Sequence, residues 1–122
     1  MILSQGSYDA LLLEIPKWKG NYLEIGVYEG DMLRDFAQRW TRKTFYGIDP
    51  FIADEGTIGH NGVPVGSKME YQRAMAYENF KDIPNIEFIE ESSRWFLANK
   101  TPQELYDMRV SVVYVDGSHT YD

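Results

Sequence analysis

Glycine and acidic residues with the potential for ligand chemistry gather in one segment, Glu24-Ile25-Gly26-Val27-Tyr28-Glu29-Gly30. Glycines at 26 and 30 permit a tight turn and a close approach of a ligand to the backbone. If a helix follows, its first N–H groups can bind a carboxylate. The pattern E-x-G-x-x-x-G therefore predicts a ligand-binding turn, although a glycine-rich turn standing alone is equally well explained as an ordinary connection.

A second acidic residue, Asp49, follows at about the separation expected of a residue that binds a ribose in a βαβ unit. A carboxylate at a strand end can accept hydrogen bonds from both ribose hydroxyls. Taken alone, such a residue is more often a helix cap or a solvated loop acid. Together with the turn, Glu24 and Asp49 on adjacent strands would hold the two ends of a nucleoside that also carries an ammonium group.

The chain ends in a third polar segment, Asp116-Gly117-Ser118-His119-Thr120-Tyr121-Asp122. A histidine can take a hydroxyl proton near neutral pH, so His119 is a candidate catalytic base. The alternative is that His119 caps a helix or bonds to the backbone. Carboxylate oxygens suit Mg or Mn, which makes Asp116 a candidate metal ligand.

Short apolar runs alternate with segments of helical period, which predicts an α/β fold with a parallel sheet and flanking helices. Strands are predicted at residues 21–27, 44–49, 86–89 and 110–115. Helices are predicted at 8–15, from Asp31 onward, at about 68–81, and at 93–99 or 102–106. The segment of residues 51–67, which includes His60, is longer than an ordinary connection and is predicted to form a lid or binding loop.

Composition limits the function. A chain of 122 residues is expected to form a single domain, 1–122, with a leading helix and linker in 1–20. The net charge of -7 disfavours a nucleic-acid partner. The sequence has no cysteine, no long apolar segment and no signal-peptide pattern, so we expect no membrane association and a cytoplasmic location.

Four segments resemble, in order, the class I S-adenosylmethionine-dependent methyltransferases. Within that class they are similar to the small-molecule O-methyltransferase group described as methyltransferase domain 24. The segments are YLEIGVYEGDML, FYGIDPF, NIEFIEESSRWFL and VVYVDGSHTYD. The resemblance implies a Rossmann-like sheet of about four strands in the order 3-2-1-4. This sheet is the N-terminal part of a seven-stranded fold, so residues 21–122 are expected to be the cofactor-binding half of a truncated domain.

The resemblance also implies roles for individual residues. The methionine part of the cofactor would lie against the turn, the ribose against the second strand end, and the adenine beside the third strand end. Glu91 and Ser92 stand where the family usually has glycine and aspartate, and Ser118 replaces a second aspartate. Asp116 would contact the cofactor and bind a divalent metal, and His119 lies at the spacing of the family's base. The expected cofactor-binding residues are Glu24, Gly26, Tyr28, Gly30, Asp49, Pro50, Ser92, Ser93 and Asp116.

The expected activity is methylation of a hydroxyl group on a small molecule. The alternative, from a different class of function, is a non-catalytic module that binds the cofactor or a partner chain. A nicotinamide-binding Rossmann domain fits less well, because Gly26 and Gly30 do not reproduce the G-x-G-x-x-G spacing. The β-prone fourth strand, 110–115, would lie at a sheet edge, which suggests a homo-oligomer paired through that edge.

Overall fold

A parallel β-sheet forms the centre of the protein in a computed structural model that describes residues 2–4, 8–51 and 65–115, with the side chains of 2–4 and 65–69 left undescribed. The strands are β1 (Ile2–Ser4), β2 (Asn21–Ile25), β3 (Phe45–Ile48), β4 (Ile86–Ile89) and β5 (Val110–Val115). Their order in space is β1-β5-β2-β3-β4, and every pair is parallel. All the strands therefore present their carboxyl ends at the same edge of the sheet.

The four predicted strands and their order are confirmed, since β2, β3, β4 and β5 lie in the arrangement 3-2-1-4 of a Rossmann-like α/β fold. The strand β1 is an addition that the sequence did not predict. It pairs with Val113, Tyr114 and Val115 on the outer side of β5. The expectation of a free edge along the fourth strand is therefore wrong over these three residues, because β1 occupies their outer hydrogen-bonding edge.

The helices connect these strands. They are α1 (Tyr8–Glu14), α2 (Asp31–Arg39), α3 (Val65–Phe80), α4 (Ser93–Ala98) and α5 (Pro102–Asp107). The first helix is followed by a 3-10 turn, Ile15–Lys17, in which Pro16 has a favourable early position. The two short helices offered as alternatives between the third and fourth predicted strands are both present. None of the helices within the described ranges is long and apolar enough to cross a membrane.

The sheet buries a separate apolar cluster on each face. One face carries Tyr22, Phe45 and Tyr114 against side chains of α1, α2 and α3. The other carries Leu23 and Ile48 against Phe96 of α4, with Leu105 and Met108 from the segment that includes α5 packed beside them. The crossovers β2-α2-β3 and β3-α3-β4 thus cover one face, and the return from β4 to β5 covers the other.

This return creates a topological switch point. The chain moves outward from β2 to β3 and β4, then crosses back to place β5 on the other side of β2. In open parallel sheets, ligands bind beyond the carboxyl ends of the strands where the order reverses. The fold therefore predicts a ligand site at the carboxyl ends of β2 and β5.

Candidate functional site

The predicted glycine turn lies directly after β2. Gly26 and Gly30 have positive φ angles of 88° and 83°, which glycine adopts without a steric cost. Gly30 N–H closes the turn by donating to the Val27 carbonyl at 2.9 Å, and Gly26 N–H ties the start of the turn to β3 by donating to the Ile48 carbonyl at 2.8 Å. Gly30 is also the N-cap residue of α2 and has no side chain with which to cap it. The first N–H groups of that helix are therefore available to a ligand or to water.

Asp49 holds this turn in place. Its Oδ2 accepts hydrogen bonds from the N–H groups of Val27 at 3.1 Å and Tyr28 at 3.2 Å. Its Oδ1 accepts one from the N–H of Phe51 at 2.8 Å. Tyr28 and Phe51 have φ angles of 53° and 50°, a conformation uncommon outside glycine. The carboxylate thus fixes both left-handed residues, a role that the ribose-binding prediction did not include.

The environment of Asp49 also affects its protonation. The residue is only 7% exposed. Burial raises the pKa of the carboxyl group above its ordinary value, and the three backbone N–H groups oppose that rise without cancelling it. An ionised Asp49 is therefore held at an electrostatic cost, which any further hydrogen-bond donor would reduce.

A cavity of about 420 Å³ opens beside the turn, at the switch point between β2 and β5. This volume lies in the range of small-molecule sites, about 300–1,000 Å³. Three lining residues carry carboxylates, and no Lys or Arg is among the described residues that line the cavity. The lining residues are Glu24, Gly26, Val27, Tyr28, Glu29, Gly30, Asp31, Met32, Gln72 and Tyr114.

Glu24 is the buried carboxylate of this cavity. It is 2% exposed, and its Oε1 accepts a hydrogen bond from the Tyr22 hydroxyl at 2.7 Å. Tyr114, on the neighbouring strand, lies opposite Glu24 in the sheet register. Burial of a carboxylate is costly unless donors or a positive charge compensate it. A cationic group in the cavity would add to the compensation that the Tyr22 hydroxyl provides.

No family model matches this sequence, and no curated protein resembles it significantly.

The other predicted site residues lie elsewhere. Ser92 is the N-cap of α4, where its Oγ accepts a hydrogen bond from the N–H of Trp95 at 3.1 Å. Ser93 is the first residue of the same helix, and neither serine lines the cavity. Pro50 is half-buried, and neither it nor Asp49 lines the cavity; Asp49 lies behind the turn, bonded to the lining residues Val27 and Tyr28. Asp116, His119 and His60 lie outside the described residues, so the predicted base and metal ligand remain predictions, as does the lid or binding loop that includes His60.

The sequence did not single out six of the lining residues: Val27, Glu29, Asp31 and Met32, which lie in or directly after the predicted turn, and Gln72 and Tyr114, which lie outside it. Tyr114 belongs to the strongly β-prone run 110–115. Residues two apart in a strand share a face, so Tyr114 could have been placed with Val112 on the face that carries Tyr22. Gln72 lies four residues before Ala76 and eight before Phe80, which are both buried. A polar residue on the buried stripe of a helix is the signal that could have identified it.

The helix that carries Gln72 is anchored at two points. Arg73 donates hydrogen bonds to Glu90, just beyond β4, and the Tyr77 hydroxyl donates to Glu90 at 2.9 Å. The Arg73 guanidinium lowers the pKa of the Glu90 carboxyl group below its ordinary value. At the other end, Asn79 Nδ2 donates to the Glu29 carbonyl at 2.7 Å and to Asp31 Oδ1 at 3.0 Å. Polar contacts to the end of β4 and to the glycine turn therefore hold α3 in position.

Proposed function

We propose that this chain binds S-adenosylmethionine in the cavity beside the glycine turn and transfers its methyl group to a hydroxyl of a small molecule. The observation that carries the proposal is the position of the cavity. It lies at the topological switch point and is lined by the whole segment from Gly26 to Asp31 together with Glu24. These residues come from the segment that resembles the methionine-binding turn of class I methyltransferases.

The described groups fit the methionine part of such a ligand. Glu24 offers a buried carboxylate for the ammonium group. The first N–H groups of α2, which no N-cap side chain occupies, offer donors for the carboxylate. The carboxylates of Glu24, Glu29 and Asp31 together favour a ligand of net positive charge.

The ribose assignment rests on the remaining acceptor capacity of Asp49. A carboxylate has about four lone-pair sites, and Asp49 uses three of them on backbone N–H groups. One hydroxyl can still be bound, and its donor would relieve part of the cost of burying the charge. In this proposal Asp49 has two roles, since it shapes the turn and also accepts from the ribose.

Bound S-adenosylmethionine supplies an electrophilic methyl group on a sulfonium centre. The contribution of the protein is to hold the cofactor in one orientation and to place the acceptor hydroxyl in line with the methyl group. We propose His119 or Asp116 as the group that receives the hydroxyl proton, and Asp116 as the residue that would hold Mg or Mn if a metal orients the acceptor. The acidic, cysteine-free composition leads us to propose a cytoplasmic enzyme with a small, non-nucleic-acid acceptor.

Calorimetric titration tests the proposal. We expect saturable binding of S-adenosylmethionine and S-adenosylhomocysteine with one site per chain, and no saturable binding of NAD or ATP at the same concentrations. The expected preference arises because neither NAD nor ATP carries the ammonium group that Glu24 and its acidic neighbours would bind. Binding of NAD in place of the two sulfur compounds would contradict the proposal and favour a nicotinamide-binding Rossmann domain.

A second measurement separates an enzyme from a binding module. Transfer of a labelled methyl group from S-adenosylmethionine to any of a panel of sugar, polyketide and phenolic hydroxyl compounds would support the enzyme. Saturable cofactor binding without transfer to any of them would favour the non-catalytic module.

A further inference from the structure

Gln72 is a buried polar residue whose side chain is not fully satisfied by the protein. It is 7% exposed and lines the cavity beside the glycine turn. Its Oε1 is buried and accepts no hydrogen bond from the part of the chain that the structure describes. Buried acceptors of this kind are uncommon in folded proteins and call for an explanation.

The position of Gln72 favours a ligand as that explanation. A buried acceptor without a donor destabilises the fold, and an apolar side chain of similar length would avoid the cost. The Arg73–Glu90 pair and the Asn79 bonds to Glu29 and Asp31 favour the orientation of α3 in which Gln72 faces the interior. Because Gln72 lines the cavity, a change of its side-chain rotamer is enough to bring the amide oxygen to a donor there, without movement of the helix.

The other charges of the cavity indicate the chemical class of this donor. Glu24, Glu29 and Asp31 line the same space, and no Lys or Arg is found among its described lining residues. A hydrogen-bond donor that is also cationic therefore gains more there than a neutral one. An alkylammonium group has three N–H donors, enough for a carboxylate and an amide oxygen at once.

We propose that Gln72 Oε1 accepts a hydrogen bond from the ammonium group of the amino-acid part of the ligand, and so acts with Glu24 as a specificity-determining residue for that group. This inference rests on the proposed binding of S-adenosylmethionine. Gln72 then recognises the amino-acid end of the cofactor and contributes nothing to recognition of the nucleoside end.

The test compares two ligands and four forms of the protein. S-adenosylhomocysteine carries the amino-acid group, and 5′-methylthioadenosine has the same nucleoside and a sulfur but lacks it. Gln72→Leu removes the acceptor at nearly constant size, and Gln72→Glu retains it. Gln38→Leu makes the same chemical change at an exposed position of α2 and is the matched control. Affinity is measured by calorimetry and stability by thermal unfolding.

Gln72→Leu is expected to weaken binding of S-adenosylhomocysteine by about 10-fold to 100-fold, the size of one hydrogen bond to a charged group. Binding of 5′-methylthioadenosine should be unchanged. The Tm should be equal to that of the wild type or higher, because an unsatisfied buried acceptor is removed. Gln72→Glu should bind S-adenosylhomocysteine within a few-fold of the wild type, and Gln38→Leu should match the wild type in every respect.

Three results would overturn the inference. Unchanged binding of S-adenosylhomocysteine by Gln72→Leu would show that the amide makes no contact with it. Equal weakening of both ligands, or a clear fall in Tm, would show a structural role in place of recognition. If the wild type binds neither ligand, the proposed function itself is overturned, and the inference with it. The wild-type titration alone distinguishes this result from the others.

Discussion

Replacement of Asp49 by alanine is expected to abolish measurable binding of S-adenosylmethionine and to lower the free energy of unfolding by about 2–4 kcal/mol. The carboxylate accepts from three backbone N–H groups, and two of them belong to the buried residues Val27 and Phe51. Alanine leaves these donors without their partner and releases the two left-handed residues, Tyr28 and Phe51. Loss of the turn then removes the wall of the cavity as well as the ribose acceptor.

Urea unfolding and calorimetric titration measure the two effects. Asp82→Ala is the matched control, because Asp82 is exposed and its loss should change stability by no more than about 0.5 kcal/mol. Because burial raises the pKa of Asp49 in the folded state, the stability that this residue contributes falls as the pH rises through the raised value. The loss of unfolding free energy caused by Asp49→Ala should therefore be larger at pH values below the raised pKa than at pH values above it. If the Asp49→Ala protein is as stable as the wild type, the role of Asp49 in holding the turn is refuted.

Replacement of Gly30 by alanine is the second substitution with a large expected effect. Gly30 has a φ of +83°, and an added Cβ would lie 2.5 Å from Cζ and 2.6 Å from Cε1 of the Phe80 ring. The left-handed backbone costs a non-glycine residue roughly 1–2 kcal/mol. Displacement of a buried ring from a packed core adds about 1–3 kcal/mol. We expect a total loss of about 2–5 kcal/mol in unfolding free energy, with weaker cofactor binding because α2 would begin in a shifted position.

A second substitution separates the cost of the left-handed backbone at residue 30 from the cost of displacing the Phe80 ring. Phe80→Leu removes both ring atoms that the new methyl group would meet. In the Phe80→Leu background, Gly30→Ala should therefore cost only the backbone strain, so the two substitutions should be non-additive by about 1–3 kcal/mol. Strict additivity, measured by denaturant unfolding of all four proteins, would show that the ring contact is not the source of the loss.

The strands and longer helices were predictable because local pattern and tertiary position agree. The β-branched run of β5 can form little else, and the stripe of Leu33, Phe36 and Ala37 on α2 is buried as its helical spacing indicates. The strand β1 could not be predicted in this way. Three residues carry no periodicity, and Ile2–Ser4 becomes a strand only because the outer edge of β5 offers it a partner.

The site was predicted in part, for a related reason. Glycine spacing identified the turn, since positive φ at Gly26 and Gly30 is a local property. The hydrogen bonds of Asp49 to Val27 and Tyr28 join positions more than 20 residues apart, and their existence depends on the packing of β2 against β3. Ser92 occupies a position where the family usually has aspartate, but locally it has the extended geometry and the hydrogen bond of a helix N-cap. Helix capping is therefore the role the structure assigns to its hydroxyl.

The most direct test of the central claim is an NMR titration of the isotope-labelled protein with S-adenosylhomocysteine. We predict saturable shifts of the backbone amides from Gly26 to Met32 and of the side-chain amide of Gln72, with a single affinity. The exposed amides of α5 on the opposite face of the sheet should remain unperturbed. Saturable shifts confined to another surface, or no shifts at all in a folded chain, would contradict the assignment of this cavity as the cofactor site.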